Sequence, residues 1–221
     1  MESAVGNRDA LQETGVRGYA VEGGKGMSRA VMISIRPKWC EKIASGEKTI
    51  EVRKTRPKMA TPFKCYIYCT MPKYPHEDFI ATDYPKPQFY GGGKVVGEFT
   101  CDRIYELETR SPGGSYYVKG EGQPTTNDVA RQSCLSLGDM HAYLKSKSGY
   151  GLHISGLKIY DQPKELNEFW FPPELYCEKE RCGGCPFDQV ADVNGEYSFD
   201  CEWKRPLARA PQSWCYVAEE A

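Results

Sequence analysis

One stretch of this chain places charged residues at a spacing that could do chemistry. In SGEKTIEVRK, residues 45 to 54, Lys48, Glu51 and Arg53 lie within six positions of one another. An ammonium or a guanidinium can donate to phosphate or carbonyl oxygens, and a carboxylate can accept hydrogen bonds from a base or a ribose. Such a stretch is typical either of a solvated hairpin or of the wall of a cleft that holds a polar ligand.

A second group of residues has the types and spacing of a metal site. Four cysteines follow the pattern C-x4-C-x2-C-x15-C: Cys177, Cys182, Cys185 and Cys201. Four thiolates satisfy a structural zinc ion completely and leave no open position for catalysis. The first three also match the plant-type iron–sulfur spacing, and two disulfides are a further alternative. Ligand type and spacing favour zinc, so we expect a structural zinc in a cysteine-rich insertion over residues 174–205.

Composition predicts a globular protein. The 221 residues are 40% hydrophobic and 12% aromatic, and no apolar run approaches the roughly 20 residues that span a bilayer. No charged and then apolar leader opens the sequence, so we expect a cytoplasmic protein without a membrane partner. The net charge of −1 conceals nine basic and three acidic residues between Arg29 and Lys58. This basic block is either a solvated face or a surface that attracts phosphates.

Hydrophobic periodicity predicts several short strands and few helices. Strands are expected over residues 30–35, 48–54, 64–70, 93–107, 150–161 and 212–217. A short helix follows Arg36, with Pro37 at its first position and Gly46 past its end. A second helix runs from Ser136 to Lys145 and begins with a capping box. Residues 71–93 and 110–133 read as loops.

These elements indicate a mostly β fold: a small β-barrel with short helices packed on it and the cysteine-rich insertion before the last strand. Residues 1–26 read as a flexible extension, 27–217 as one domain and 218–221 as a tail. The other six cysteines lie in apolar or strand-like sequence and are expected to be small buried hydrophobic residues. They are Cys40, Cys65, Cys69, Cys101, Cys134 and Cys215.

The segment GEKTIE, residues 46–51, resembles the G-x-K-x-x-E signature of ASCH domains, a family related to the PUA fold. The resemblance extends over most of residues 30–217. It includes ISIRPKWCEKIASGEKTIEVRK, VVGEFTCDRI, LSLGDMHAYL, GLHISGLKIYD and PQSWCYV, in that order.

The resemblance implies a PUA-like β-barrel with a cleft beside the first helix that binds RNA or a modified nucleotide. The residues expected at this cleft are Arg36, Lys38, Lys48, Glu51 and Arg53. Trp39, Tyr66 and Tyr68 could offer stacking surfaces, although aromatic residues on strands more often belong to the core. Lys48 and Glu51 could alternatively form a surface ion pair.

Two other functions are compatible with the sequence. Some small ASCH proteins resemble amidohydrolases that act on N4-acetylcytidine, and there the implied catalytic residues are Lys48, Glu51 and Glu98. Glu51 stands where those enzymes have a threonine, so it could act as a general base toward water but supplies no hydroxyl nucleophile. The remaining alternative is a protein-interaction domain that uses the cysteine-rich segment as its contact surface.

Overall fold

The structure, a computed structural model, describes residues 29–71, 79–80, 89–109, 111, 114–172 and 206–219. The predicted extension over residues 1–26 and the predicted insertion over residues 174–205 lie outside the described residues. The four clustered cysteines therefore lie outside them as well.

The described chain is mostly β, as the sequence predicts. Its elements are β1 (Arg29–Ile35), α1 (Pro37–Ala44), β2 (Ile50–Arg53), β3 (Phe63–Cys69), β4 (Phe79–Ile80), β5 (Phe89–Tyr90), β6 (Val95–Thr109), β7 (Tyr116–Val118), α2 (Thr126–Gln132), α3 (Leu137–Leu144), β8 (Gly149–Lys164), a 3-10 turn (Leu166–Glu168) and β9 (Trp214–Ala218). No helix of the described residues is long and apolar enough to cross a bilayer.

Seven of the strands form one sheet, in the order β2-β8-β6-β3-β1-β9, with β7 paired to β6. Strands β1 and β3 are parallel, because the chain crosses over through α1 and β2 before it returns. The other pairs in this sheet are antiparallel. Strands β4 and β5 form a separate pair.

The sheet is not closed in the described residues, which differs from the barrel expected from the sequence. Strands β2 and β9 are the two ends of the pairing path, and no backbone ladder joins them. Side chains span the gap instead. The Trp214 indole donates to the Thr55 hydroxyl at 3.1 Å, and the Lys58 amide donates to the Tyr216 hydroxyl at 2.8 Å. The residues that follow β2 are therefore held against β9 without strand pairing.

Alternation along the strands fills the two faces of the sheet with different core clusters. On β1, Val31, Ile33 and Ile35 belong to the first cluster, whereas Ala30 and Met32 belong to the second. The first cluster also contains Cys40, Cys65, Cys69 and Cys101, all buried as predicted. Cys134 and Cys215 are only half-buried. A third cluster packs β2 and β6 against helices α2 and α3.

The sequence misassigned two segments that it predicts as loops. Residues 71–93 contain the two-residue strands β4 and β5, and residues 110–133 contain β7 and helix α2. Thr125 and Asp128 form a capping box at the start of α2, which is the same signal that correctly placed the start of α3 at Ser136. The helix is only seven residues long and buries just Val129 and Ala130, so its apolar pattern is too short to identify.

Candidate nucleotide-binding site

A cavity of about 730 Å³ opens where the two ends of the sheet approach each other. This volume lies within the range of small-molecule sites, roughly 300–1,000 Å³. Its walls come from the end of β1, the start of α1, β2 and the residues after it, α3, and the segment before β9. The lining residues are Ser34, Ile35, Arg36, Trp39, Lys48, Glu51, Val52, Arg53, Lys54, Thr55, Thr70, Leu135, Tyr143, Gln212 and Ser213.

The turn after α1 places Lys48 and Glu51 at the floor of this cavity. Gly46 ends the helix with a φ of +77°, a conformation that glycine adopts without steric cost. Along β2, Ile50 and Val52 pack into the third core cluster, so Glu51 and Arg53 point to the opposite face. In the antiparallel ladder between β2 and β8, Glu51 lies opposite Leu152, which belongs to the first core cluster. The Glu51 side chain therefore lies at the edge of that cluster.

Three charged side chains form a connected group at the floor, which we call the buried triad: Lys48, Glu51 and Arg53. Their exposed fractions are 3%, 7% and 7%. The Lys48 ammonium lies 3.1 Å from Glu51 Oε2, and Arg53 Nη2 lies 3.0 Å from Glu51 Oε1. One carboxylate therefore binds two cations, and the surface ion pair considered from the sequence is instead a buried pair.

Lys48 also links β2 to the helices that cover it. Its ammonium donates to the Ile50 carbonyl at 2.9 Å and to the Ser133 carbonyl at 2.8 Å. Ser133 is the residue after α2, so this bond joins the cavity floor to the helical layer. The Trp39 ring covers the same ammonium, with its centroid 5.3 Å from Nζ.

Arg53 bridges the two ends of the open sheet. Its Nη2 donates to the Ser34 carbonyl of β1 at 2.5 Å, and its Nη1 donates to the Ser213 hydroxyl, just before β9, at 3.5 Å. Its Nε is buried and has no hydrogen-bond partner among the described residues. Nη1, whose contact with Ser213 is long, is the donor of this guanidinium that has capacity for an acceptor on a ligand.

The mouth of the cavity is cationic and aromatic. Arg36 and Lys54 are exposed, and Lys54 Nζ lies 5.0 Å from the centre of the Tyr143 ring. Burial raises the pKa of the Tyr143 phenol above its ordinary value of 10.0, although neighbouring Arg53 opposes the shift. The phenol therefore stays protonated at neutral pH and can donate as well as accept. Trp39, half-buried, supplies the other aromatic wall.

The structure does not bring every predicted site residue to this cavity. Lys38 is exposed on α1 and does not line it, and its Nζ lies over the Trp39 ring at 4.8 Å. Tyr66 and Tyr68 are buried in the second core cluster, so they are core residues and not stacking surfaces. Arg36, Lys48, Glu51 and Arg53 do line the cavity.

Glu98, the third catalytic residue implied by the amidohydrolase hypothesis, lies outside the cavity. Its Oε2 accepts a hydrogen bond of 2.6 Å from the Tyr160 hydroxyl. Tyr160 belongs to the second core cluster, whereas Phe99, the next residue on β6, belongs to the first. Glu98 is therefore on the opposite face of the sheet from Glu51, and it does not line the cavity.

The Cys40 thiol near the floor is not prepared for nucleophilic attack. Cys40 of α1 packs beside Glu51 and Arg53, and burial raises the pKa of its thiol well above 9.0, with Cys69 raising it further. A thiol with such a pKa carries almost no thiolate at neutral pH. Among the described residues, no group of three or more His, Cys, Asp or Glu side chains could hold a metal ion.

Sequence reasoning missed several cavity residues. Tyr143 was assigned only to a helix, and Ser34, Thr55, Thr70, Gln212 and Ser213 were not singled out. They are small or amphipathic residues at the ends of elements, and only the tertiary fold brings them together. No local sequence signal marks them, because a single exposed aromatic residue such as Tyr143 is common on protein surfaces.

Comparison with known proteins finds matches among solved structures alone. No protein-family model and no curated protein matches the chain. Among solved structures, the chain is similar to the crystal structure of ASCH from Zymomonas mobilis, with 16% identity, a TM-score of 0.44, and coverage of 85% of this chain and 86% of that one. Two single-substitution variants of that protein also match. The serine-to-alanine variant is 16% identical with a TM-score of 0.44, and the match covers 85% of this chain and 87% of the variant. The tyrosine-to-phenylalanine variant is 17% identical with a TM-score of 0.41, and the match covers 63% of this chain and 77% of the variant.

Proposed function

We propose that the protein is an ASCH-type module that binds a nucleotide, free or within single-stranded RNA, in the cavity above the buried triad. The observation that carries the proposal is the combination of surfaces in one cavity: a polar charged floor, two aromatic walls and a cationic mouth. Stacking surfaces and exposed cations are the groups that bind bases and phosphates of single-stranded nucleic acid.

The test is the affinity of a fluorescent single-stranded oligoribonucleotide over a series of salt concentrations. Phosphate contacts release counterions, so affinity is expected to fall as salt rises, with about 0.7 in the logarithmic slope for each contact. Arg36→Gln is expected to reduce this slope. Arg103→Gln is the matched control, because Arg103 is also exposed but lies on β6 outside the cavity lining.

A salt-independent affinity, or equal slopes for wild type and Arg36→Gln, would remove the basis for nucleotide binding at this site.

The amidohydrolase alternative is tested with the same protein by assaying a panel of N-acylated nucleosides. Lys48 and Glu51 line the cavity, but Glu98 does not. Only two of the three implied catalytic residues therefore lie close together. Turnover that disappears in Lys48→Met while the fold survives would favour the enzyme.

We also propose that Cys177, Cys182, Cys185 and Cys201 bind a structural zinc ion, and the support is their spacing in the sequence. Metal analysis of the purified protein is expected to give one zinc per chain, with these four thiols protected from alkylation. Metal-free protein with four reactive thiols would contradict this. If the segment is instead a contact surface for another protein, replacing it should abolish partner capture and leave the described fold intact.

A further inference from the structure

The contacts of Lys48 leave its ammonium little capacity for a ligand. An ammonium carries three N–H groups. Here it donates to Ile50 O at 2.9 Å and to Ser133 O at 2.8 Å, and it forms an ion pair with Glu51 Oε2 at 3.1 Å. Lys48 is 3% exposed and lies beneath the Trp39 ring. A phosphate could reach this ammonium only by displacing a protein acceptor.

Glu51, by contrast, has capacity left. A carboxylate has about four lone-pair positions, and the two cations of the buried triad use one on each oxygen. Glu51 lines the cavity and its side chain is 9% exposed, so the remaining positions can accept from a donor on a ligand. Its orientation is fixed from both sides, because Lys48 holds one oxygen and Arg53 the other.

Arg53 supplies the complementary donors. Its Nη1 lies 3.5 Å from Ser213 Oγ, a long contact, and its guanidinium also interacts with the Tyr143 hydroxyl. The floor of the cavity therefore presents an acceptor and a donor side by side. The matching ligand edge has a carbonyl oxygen or ring nitrogen next to an N–H group, which is the pattern on the Watson–Crick edge of a nucleobase.

A phosphate does not match this floor. Its oxygens only accept, and they would lie against the negative carboxylate of Glu51, where like charges in a partly buried site repel strongly. Exposed cations are found instead at the mouth, on Arg36 and Lys54. The distribution of donors and acceptors thus separates a place for a base from a place for a phosphate.

We infer that the ligand enters base first: a base edge with an N–H group pairs with Glu51 and Arg53 at the floor, and the phosphate stays at the mouth beside Arg36 and Lys54. Lys48 is a positioning residue that holds the Glu51 carboxylate and touches no part of the ligand. This inference rests on the proposed function, because it names the ligand group and the orientation at the same site.

The experiment is calorimetry of the full-length wild-type protein with uridine, its N3-methyl derivative and ribose 5-phosphate. Uridine is expected to bind with an affinity that hardly changes between low and high salt, because no phosphate takes part. The methyl group replaces the N–H that Glu51 accepts, so the N3-methyl derivative is expected to bind at least about tenfold more weakly. Ribose 5-phosphate, which has no base, is expected to bind more weakly than uridine. Guanosine and its N1-methyl derivative give a second pair with the same logic.

The outcomes separate this inference from the proposed function. If the oligoribonucleotide binds with a salt dependence that requires Arg36, but ribose 5-phosphate competes better than either nucleoside, the base-first orientation is wrong and the nucleotide site remains. Equal affinity for each nucleoside and its N-methyl derivative would also overturn it. If neither RNA nor any nucleoside binds, both proposals fail.

The positioning role of Lys48 has its own readout. Lys48→Met is expected to reduce the preference for uridine over its N3-methyl derivative, because Glu51 loses one of its two anchors. The salt slope for the oligoribonucleotide is expected to equal that of wild type, because no phosphate contact is removed. If Lys48 contacted a phosphate, the slope would fall by about 0.7. A thermal melt checks that the variant is folded. If it is not, the ligand series with the wild-type protein still tests the base-first orientation.

Discussion

Two clusters of charge on this protein have nearly the same distances and opposite surroundings. In the buried triad, Glu51 lies about as close to Lys48 and Arg53 as Lys119 lies to Glu106 and Glu108 at the end of β6. The side chains of the triad are 2% to 9% exposed, whereas Lys119 is 58% exposed. Water screens the exposed pairs, and the protein interior does not screen the buried ones.

The comparison teaches that the distance between two charges does not decide their role. The exposed cluster, which we call the surface cluster, consists of Lys119, Glu106 and Glu108, and it can be lost at little cost because each group is solvated again. Each member of the buried triad depends on the other two, because a charge left alone at this depth is only poorly hydrated. The same dependence keeps the triad in one geometry and makes it suitable as a preformed ligand site.

The largest predicted effect is on stability when the triad loses its only anion. Glu51→Ala leaves Lys48 and Arg53 as two buried cations facing each other, so the free energy of unfolding is expected to fall by about 3–5 kcal/mol. Chemical denaturation measures it. Glu108→Ala, in the surface cluster, is the matched control and is expected to leave the denaturation midpoint near that of wild type. Similar midpoints for the two variants would show that the triad is hydrated and not buried.

A smaller loss is predicted for removal of one cation of the triad. Lys48→Met keeps the buried aliphatic stem and leaves Glu51 paired with Arg53, but the Ser133 and Ile50 carbonyls lose their donor. A decrease of about 1–3 kcal/mol in the free energy of unfolding is expected. The corresponding change in the surface cluster, Lys119→Met, should leave the denaturation midpoint nearly unchanged. A Lys48→Met variant as stable as wild type would mean that those two carbonyls are solvated.

The smallest effect concerns the pH dependence of the surface cluster. The hydrogen bond from Tyr117 holds the pKa of the Glu108 carboxyl below its ordinary value of 4.5, and Lys119 adds to the shift. A pKa lowered in the folded state stabilises the protein above 4.5, and this contribution is lost as the pH falls through the lowered value. Tyr117→Phe is therefore expected to lower the melting temperature slightly at neutral pH.

The same variant gives the sign test. Because protonated Glu108 gains nothing from the lowered pKa, the melting temperatures of wild type and Tyr117→Phe are expected to converge as the pH falls from 4.5 through that lowered pKa. A difference that stays constant from neutral to acidic pH would assign the effect to packing of the tyrosine ring and not to its hydrogen bond.

Local sequence predicted the parts of the site that local rules govern. Gly46 as the end of α1 and the alternation that turns Glu51 and Arg53 to one face both follow from short-range geometry, and the structure has both. The capping box at Ser136 likewise located α3, which carries Tyr143. A single strand could therefore be assigned its ligand-facing side before any tertiary contact was known.

The rest depends on contacts between residues far apart in the chain. Ser133, which accepts from Lys48, is 85 positions away from it, and Ser213 is 160 positions from Arg53. No local pattern specifies such partners, so the sequence indicated neither the burial of the triad nor the open sheet. The register of β6 also could not be read locally, and this register places Glu98 on the face opposite the cavity.

The most direct test of the site is a crystal structure of the protein with uridine 5′-monophosphate bound. The expected result is a uracil edge within hydrogen-bond distance of Glu51 and Arg53, with the phosphate at the mouth beside Arg36 or Lys54 and the bonds of Lys48 to Ile50 and Ser133 unchanged. A phosphate bound to Lys48 at the floor, or a nucleotide bound outside the cavity, would contradict the assignment of this cavity as a base-reading site.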